Sequence, residues 1–484
     1  MSFFDYSMQD NAIRIIREGA NRKIPVPAFL SHEIQKRKSS PEYKWMLIGE
    51  NYYAGRHDVL RKTRQAIGSD GKPVQLDNLP NSKHIDNVYK RMVKQKTNYL
   101  VGKPFTVNAD DKKYQDLLMK FFDKVFFAKM KNITKDALNC GIAWLYVHYD
   151  ETGNLVFDRF RPYECIPEWE DIDHTRLNSL IRFYDVISYN GMSDEKITLV
   201  EYYTKEGVDY FEYYNGSLVG MPPFHEDYMQ IGGMTANWDG LPLIPFKYDE
   251  ELPLIANCKS LQDGLNSILS VFDDNMHEDS RNTILILVNY DGENLGEFRQ
   301  NLATYGAVKV RSSEGGNGDL RSLQVEVNSE NYKAIIEIFK RAIIENCMGY
   351  DVKNEKMSGT PNQMNIESMY NDIDIDASDM ETEFQQSLDR LLYFIDLHLA
   401  NTGQGDYSNV DVDITFNTDM PMDEANTIAN MRNSDGLISQ RTLVAHHPWV
   451  MDPEDEIEQL KKEKQEALEE YNGAFSSNKD EEDE

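Results

Sequence analysis

From Ile366 to Leu399, apolar residues recur at the three- and four-residue spacing of a single helix face: Ile366, Met369, Tyr370, Ile373, Met380, Phe384, Leu388, Leu391, Ile395 and Leu399. At 1.5 Å per residue this stripe predicts a helix roughly 50 Å long, which exceeds an ordinary globular helix and constrains the rest of the chain to pack along it. Its polar side carries Glu367, Asp372, Asp374, Asp376, Asp379, Glu381, Glu383 and Asp389 before the first basic residue, Arg390, and reads as a solvated acidic face.

Two further amphipathic helices precede it. Leu261, Leu265, Ile268, Leu269, Phe272 and Met276 mark one that starts near Asn257. Tyr332, Ile335, Ile336, Phe339 and Ile343 mark a second, from Asn331 to about Cys347, able to pair antiparallel with the first. Between them lies a strand-rich insertion with Thr283–Tyr290, Tyr305–Arg311 and Leu320–Val327, and with the turn residues Glu314 to Asp319. After the second helix, Gly349–Gln363 has no periodic apolar face and reads as an exposed loop.

The amino-terminal half reads as a mixed α+β body. A helix over Ile85–Val101 stops at Gly102 and Pro104, and helices follow over Lys113–Phe127 and Asn132–Cys140. Strands follow over Ala143–Tyr149, Leu155–Phe160, Ser179–Tyr189, Lys196–Thr204 and Asp209–Tyr214, and the Pro-punctuated Leu241–Pro253 closes the body. The tyrosines Tyr202, Tyr203, Tyr210, Tyr213 and Tyr214 read as packing residues on strands rather than base-stacking platforms. Beyond a short strand at Asn409–Phe416, three helices are expected over Asp423–Arg432, Ser439–Ala445, with Ser439 as N-cap, and Pro453–Tyr471, followed by an acidic tail that reads as disordered.

Charge and motifs exclude more than they assign. With 51 Lys and Arg against 82 Asp and Glu, the net charge of −31 leaves no monomer-wide basic footprint for gripping phosphates. The amino-terminal stretch to about Gln95 is nevertheless basic. Acidity does not by itself exclude contact with a nucleic acid, because a surface along which a polyanion slides should avoid strong phosphate contacts. Cys140, Cys165, Cys258 and Cys347 lie too far apart for a zinc ribbon or disulfide scaffold, which suits a reducing compartment. No apolar stretch reaches the roughly 20 residues of a bilayer span, and the amino terminus lacks a signal-peptide core, so no membrane is expected.

Gly71-Lys72-Pro73 and Gly102-Lys103-Pro104 lack the rest of a P-loop, and Gly315, Gly316 and Gly318 sit between strands rather than opening a helix. His446 and His447, adjacent on a helix, would point about 100° apart. Asp411 and Asp413 share a strand face, a placement that metal-dependent nucleases use. Asp372, Asp374, Asp376 and Glu383 fall at calcium-loop offsets, but Ala377 stands where that loop needs glycine and the surrounding stripe is helical. No catalytic residue, metal ligand or cofactor is assigned, and the chain is expected not to be an enzyme.

The segment Asn51-Tyr52-Tyr53-Ala54-Gly55-Arg56-His57, then Asn81 to Asp86 and Lys90 to Pro104, resembles the opening of the portal family of long-tailed phages typical of Gram-positive hosts, with its Tyr-Tyr-x-Gly-x-His start and Tyr-Leu-x-Gly-Lys-Pro end. Leu437 to Leu443 and Pro448 to Pro453 resemble that family's entry to its carboxy-terminal helices, where a Ser-x-x-Thr turn precedes Val-x-Asp-Pro.

The resemblance implies a portal fold of class α+β, with an α/β wing, long stem helices, a small αβ clip insertion and an α-helical crown. It implies a wing over 1–252, a first stem helix over 253–282, a clip over 283–328 and a second stem helix over 329–347. A tunnel loop over 348–364, a spanning helix and return strand over 365–420, a crown over 421–472 and a tail over 473–484 complete it. Tyr350, Lys353, Asn354, Lys356, Ser358 and Asn362 would then face DNA in the tunnel loop. Glu293, Arg299, Arg311, Glu314, Asn317 and Asp319 would form the docking surface of the clip.

The implied role is a subunit of a homo-oligomeric ring, usually of twelve, at one capsid vertex of the virion, assembled in the host cytoplasm. Double-stranded DNA would pass through it without sequence specificity during packaging and ejection. The terminase large subunit, a head-completion or adaptor protein, and the major capsid and scaffolding proteins would be its partners, with energy from ATP hydrolysis by the terminase. A different head–tail structural protein and a metal-dependent nuclease built on Asp411 and Asp413 are the rival readings.

Overall fold

The computed structural model describes residues 26–67, 72–75, 79–189, 191–214, 217–231, 233–279, 284–288, 312–313, 316–317, 319–323, 329–351 and 363–418, and beyond them 428, 431–434, 436–445, 447, 449–450 and 456–465. It divides into two compact units, Met1–Gly349 with Asp376–Thr418, and Tyr350–Ile375 with Asp419–Glu484.

The described residues of the first unit begin with two helices, α1 (Val26–Ser39) and α2 (Pro41–Tyr53), that the sequence pattern had not suggested. Ser40 separates them: its Oγ accepts from the Tyr43 N–H at 3.2 Å, and Pro41 takes the first helical position, where no N–H is needed. A small ribbon, β1 (Gln65–Ile67) with β2 (Pro73–Gln75), precedes α3 (Val88–Val101). The helix expected from Ile85 begins at Val88, because the Asn87 side chain caps the Lys90 N–H at 2.8 Å and the residues before it run extended.

After β3 (Thr106–Ala109) come α4 (Lys112–Phe121) and α5 (Lys124–Cys140). The break between them falls at Phe122–Asp123 and not after Phe127, since the Asp123 carboxylate accepts from the Phe126 N–H at 2.8 Å and starts a new helix there. Phe105, Phe122, Phe126 and Phe127 cluster around that junction with ring centroids 4.9–6.2 Å apart.

Two antiparallel sheets follow. One has three strands in the order β13–β4–β5, from Leu243–Lys247, Ile142–Tyr149 and Leu155–Phe160, and buries Trp144, Leu145 and Val147 completely. The other has five strands in the order β10–β9–β8–β7–β6: Ser217–Glu226, Gly207–Tyr214, Asp194–Thr204, Leu177–Tyr189 and Cys165–Trp169. Leu30 and Ile34 of α1 close over Ile166, Ile181, Phe183, Val200 and Leu218 of this sheet, and Tyr202 and Tyr213 pack against the same cluster, as expected of strand tyrosines. A short ribbon, β11 (Met229–Ile231) with β12 (Met234–Ala236), leads back to β13.

Helix α6 (Ile255–Asp279) then leads to β14 (Ile284–Val288), which pairs antiparallel with β17 (Asp319–Leu323); between them lies a minimal hairpin of β15 (Ser312–Ser313) and β16 (Gly316–Asn317). Helix α7 (Ser329–Asn346) returns antiparallel along α6. Its Tyr332 ring meets Phe272 at 4.9 Å, its Phe339 ring approaches Gly264 so closely that a Cβ there would lie 2.8 Å away, and Cys347 reaches Cys258.

The long helix, α8, spans Gln363–Asn401, 39 residues. Within the first unit its face is apolar and dry: Phe384, Leu388, Leu391, Phe394, Ile395 and Leu399 are fully buried, Phe384 edge-on to Phe246 of β13 at 5.1 Å. Full burial of such side chains is worth about 1.5–3 kcal/mol each. Strand β18 (Val412–Thr415) then pairs with β3, joining the end of this unit to its beginning.

In the second unit, Tyr350 stacks on Tyr370 at 4.2 Å, and Tyr370 and Ile373 of α8 are buried. Helix α9 (Gln440–Ala445) is capped by Ser439, whose Oγ accepts from the Thr442 N–H at 3.2 Å, as the sequence indicated. Residues 456–465 are helical. No helix among the described residues is long and apolar enough to cross a membrane.

Candidate functional site

The residues around α6 and α8 gain their positions from polar groups that hydropathy patterns do not reveal. On α6, Gln262, Asn266, Ser270 and Asp274 stand four apart, share one face and are buried, at 0%, 0%, 0% and 3% exposure. They hold the backbone of the strap that precedes α3. The Ser82 N–H donates to Asp274 Oδ1 at 2.6 Å, the His84 N–H to Ser270 Oγ at 3.0 Å, the Asp86 N–H to Asn266 Oδ1 at 3.1 Å and the Tyr89 N–H to Gln262 Oε1 at 3.1 Å.

The match is geometric: two extended residues advance about 6.6 Å and four helical residues about 6.0 Å, so the alternate strap amides of Ser82, His84 and Asp86 meet helix side chains four apart, and the Tyr89 amide, in the first turn of α3, takes the fourth. The amides that face the buried row of α6 are thereby paired with it, and the register of α6 is set. At one end Lys62 Nζ adds an ion pair to Asp274 Oδ2 at 2.9 Å, and His84 Nε2 lies 2.8 Å from Asp273 Oδ2.

The Tyr-Tyr-x-Gly-x-His segment completes this belt. Gly55 takes a left-handed backbone with φ of +83°, which turns the chain so that His57 folds back and stacks on Tyr52 at 4.4 Å. The Tyr52 hydroxyl donates to Asp263 Oδ1 of α6 at 2.5 Å. His57 Nε2–H donates to the Tyr52 carbonyl at 3.1 Å and Nδ1 accepts from Asn266 Nδ2 at 2.8 Å, an arrangement that requires the neutral imidazole. Burial lowers the His57 pKa, in the same sense.

A second polar centre lies where the chain leaves and re-enters the first unit. Lys96 of α3 is 2% exposed, and its Nζ lies 2.5 Å from Asp376 Oδ2 of α8 and donates to the Met348 carbonyl at 3.3 Å. The Tyr248 hydroxyl donates to Asp376 Oδ1 at 3.0 Å. Met348, with φ of +48°, ends the last turn of α7, so the ammonium satisfies a carbonyl the helix cannot. Gly349 comes so close to α3 that a Cβ would lie 2.5 Å from Met92 Sδ. Burial pushes the Lys96 ammonium below its usual pKa and the Asp376 carboxyl above its own, each against the attraction of the other.

This corrects the acidic-face reading at one position: Asp376 is 7% exposed, paired inside the unit and not solvated. The calcium-loop spacing is also resolved, because Asp372, Asp374, Asp376 and Glu383 all lie on the continuous helix α8. Among the described residues no group of three His, Cys, Asp or Glu could hold a metal ion. Asp411 and Asp413 share an exposed side at β18. The four cysteines are free and buried.

Of the expected tunnel-loop residues, Tyr350 is described, half-buried against Tyr370, while Lys353, Asn354, Lys356, Ser358 and Asn362 lie outside the described residues. Of the expected clip residues, Asn317 pairs with Ser312 in the β15–β16 hairpin and Asp319 opposes Val288. Glu293, Arg299, Arg311 and Glu314 lie outside the described residues, as does His446. Lys96 and Tyr248 were missed; the available signal was a lysine on the buried face of α3, beside Met92, Val93 and Leu100.

The family model for phage portal protein, SPP1 Gp6-like, matches residues 34–470. The chain belongs to that family. The portal protein of Bacillus phage SPP1 is 27% identical over 439 residues, covering 89% of this chain and 86% of the relative. That of Clostridium phage phiCD119 is 26% identical over 445 residues, covering 89% and 93%. A chain from the neck of a native GTA particle computed with C12 symmetry aligns over 74% of this chain and 88% of its own length, at 11% identity and a TM-score of 0.38. As a phage portal protein the chain is a structural component of the virion and not an enzyme. The polar belt places helices, and Tyr52, Gly55 and His57 are part of it.

Proposed function

We propose that copies of this chain close into a ring, of twelve subunits by family analogy, whose channel passes double-stranded DNA into and out of the capsid at one vertex. The reading is carried by one observation: helix α6, a small strand unit, helix α7, a short polar segment and the 39-residue α8 follow one another in a family member. In this reading 1–252 is the wing, α6 and α7 are the stem, 283–328 is the clip, 348–364 is the tunnel loop and 421–472 is the crown. A net charge of −31 per subunit suits a conduit that must not hold phosphates tightly. The clip, with Asn317 and Asp319, is the docking place for the terminase large subunit during packaging and for an adaptor protein afterwards. Capsid and scaffolding proteins meet the outer surface, and assembly takes place in the host cytoplasm.

Electron microscopy of the purified protein is expected to show rings with a central hole. Deleting Asn354 to Ser358 is expected to leave those rings intact and to abolish nuclease-protected DNA in a packaging extract. Solid particles, or full packaging by the shortened chain, would overturn the reading.

A further inference from the structure

The segment 350–375 departs from the first unit directly after Met348 and Gly349 and rejoins it at Asp376. Both points touch the same ammonium: Lys96 Nζ is 3.3 Å from the Met348 carbonyl and 2.5 Å from Asp376 Oδ2. Lys96 itself sits in the middle of α3, which the Tyr89 amide ties to Gln262 of α6. Tyr248, from the turn after β13, fixes the other oxygen of Asp376.

A buried ion pair is a poor source of stability, because desolvation offsets much of the attraction; apolar side chains of similar volume often serve the fold as well. What the pair supplies is geometry, since one ammonium that needs two oxygens at bonding distance admits a single separation of the α7 end from α8. Gly349 lies close against α3 as well, where an added Cβ would press on the side chains of Met92 and Gln95.

We propose that Lys96 is a positioning residue for DNA passage: with Asp376 and Tyr248 it holds Met348 and Asp376, the two points between which residues 350–375 run, at one separation. The proposal rests on reading that loop as the channel lining. It predicts that the clamp can be removed without unfolding the protein, and that the loss is felt in the loop.

The test is the charge-free pair Lys96→Met with Asp376→Asn, which leaves the Tyr248 hydroxyl an acceptor, compared with Lys96→Arg, which keeps the charge. Rings and thermal midpoint are expected to stay near those of the parent. Trypsin cleavage at Lys353 and Lys356 is expected to speed up about tenfold, because protease access follows the free energy of local opening. Nuclease-protected DNA per particle is expected to fall, and Lys96→Arg is expected to restore part of both effects.

Unchanged cleavage in a folded charge-free variant would overturn the clamp, even if deletion of Asn354 to Ser358 abolishes packaging. Faster cleavage with undiminished packaging would leave the clamp standing as a structural fastening but overturn its role in DNA passage. If the charge-free pair fails to fold, Lys96→Gln, which removes the ammonium that bridges Met348 and Asp376, gives the same two readouts. In that variant, too, unchanged cleavage overturns the proposal.

Discussion

Helices α6 and α8 are both long, both bury one face in the same unit, and do so by opposite means. The buried face of α8 is carbon: Phe384, Leu388, Leu391, Ile395 and Leu399 against β13 and its neighbours. One buried face of α6 is polar, a row of Gln262, Asn266, Ser270 and Asp274 bonded to strap amides. An apolar stripe supplies stability and tolerates small slips, because dispersion and burial are not directional. A row of paired amides and carboxylates contributes little net energy but penalises every slip, since each misplaced donor becomes a buried orphan. The helix that leads to the β14–β17 strand unit is the one held by direction.

That contrast can be broken from the apolar side first. Phe384→Ala removes a ring with no exposure that packs edge-on to Phe246, and is expected to cost about 3–5 kcal/mol, seen as a lower denaturant midpoint. A loss under about 1 kcal/mol would mean that α8 is not held by its core face.

The polar side sharpens it. Asn266→Leu keeps the branched shape but strands the Asp86 N–H, one Gln262 donor and the His57 Nδ1, so a loss of about 1–3 kcal/mol is expected. On α8, the comparably conservative Leu388→Met should cost less than about 1.5 kcal/mol. If the two cost the same, the belt is packing like any other and sets no register.

The same contrast explains what could be read from the sequence. Period and composition report apolar faces, so the extents of α7 and α8, most of the strands between Ile142 and Tyr214, and the antiparallel pairing of α6 with α7 were legible. The Ser439 cap was legible because it is local. The strap was not: Ile85 to Asn87 continue a helical period toward Val88, and only the partner on α6, nearly 200 residues away, holds them extended. Asp376 was read as one acid among eight, although it falls between Ile373 and Met380 on the buried stripe; its cation, Lys96, comes from another helix. Motifs showed the family through Tyr52, Gly55 and His57, but their meaning as a turn, a stack and a belt anchor needed the fold.

The smallest expected effect concerns His57, the point where the motif joins the belt. Its imidazole is neutral in the folded chain because Nδ1 must accept from Asn266, and burial lowers its pKa below that of an exposed histidine, about 6.5. Asp263 and Asp58 pull the value up and Lys259 pulls it down, but desolvation outweighs them. As pH falls through about 6.5 the unfolded chain therefore takes up a proton before the folded one does. The contribution of His57 is fully present above that pH and is lost progressively toward the lowered folded value. His57→Gln keeps a side-chain acceptor and a donor but cannot titrate. Its stability relative to the parent, from urea unfolding at pH 8 and at pH 5, should improve at the lower pH. A constant difference across that range would mean that His57 is already free to protonate in the fold, and that the stack on Tyr52 rather than the bond from Asn266 holds it in place.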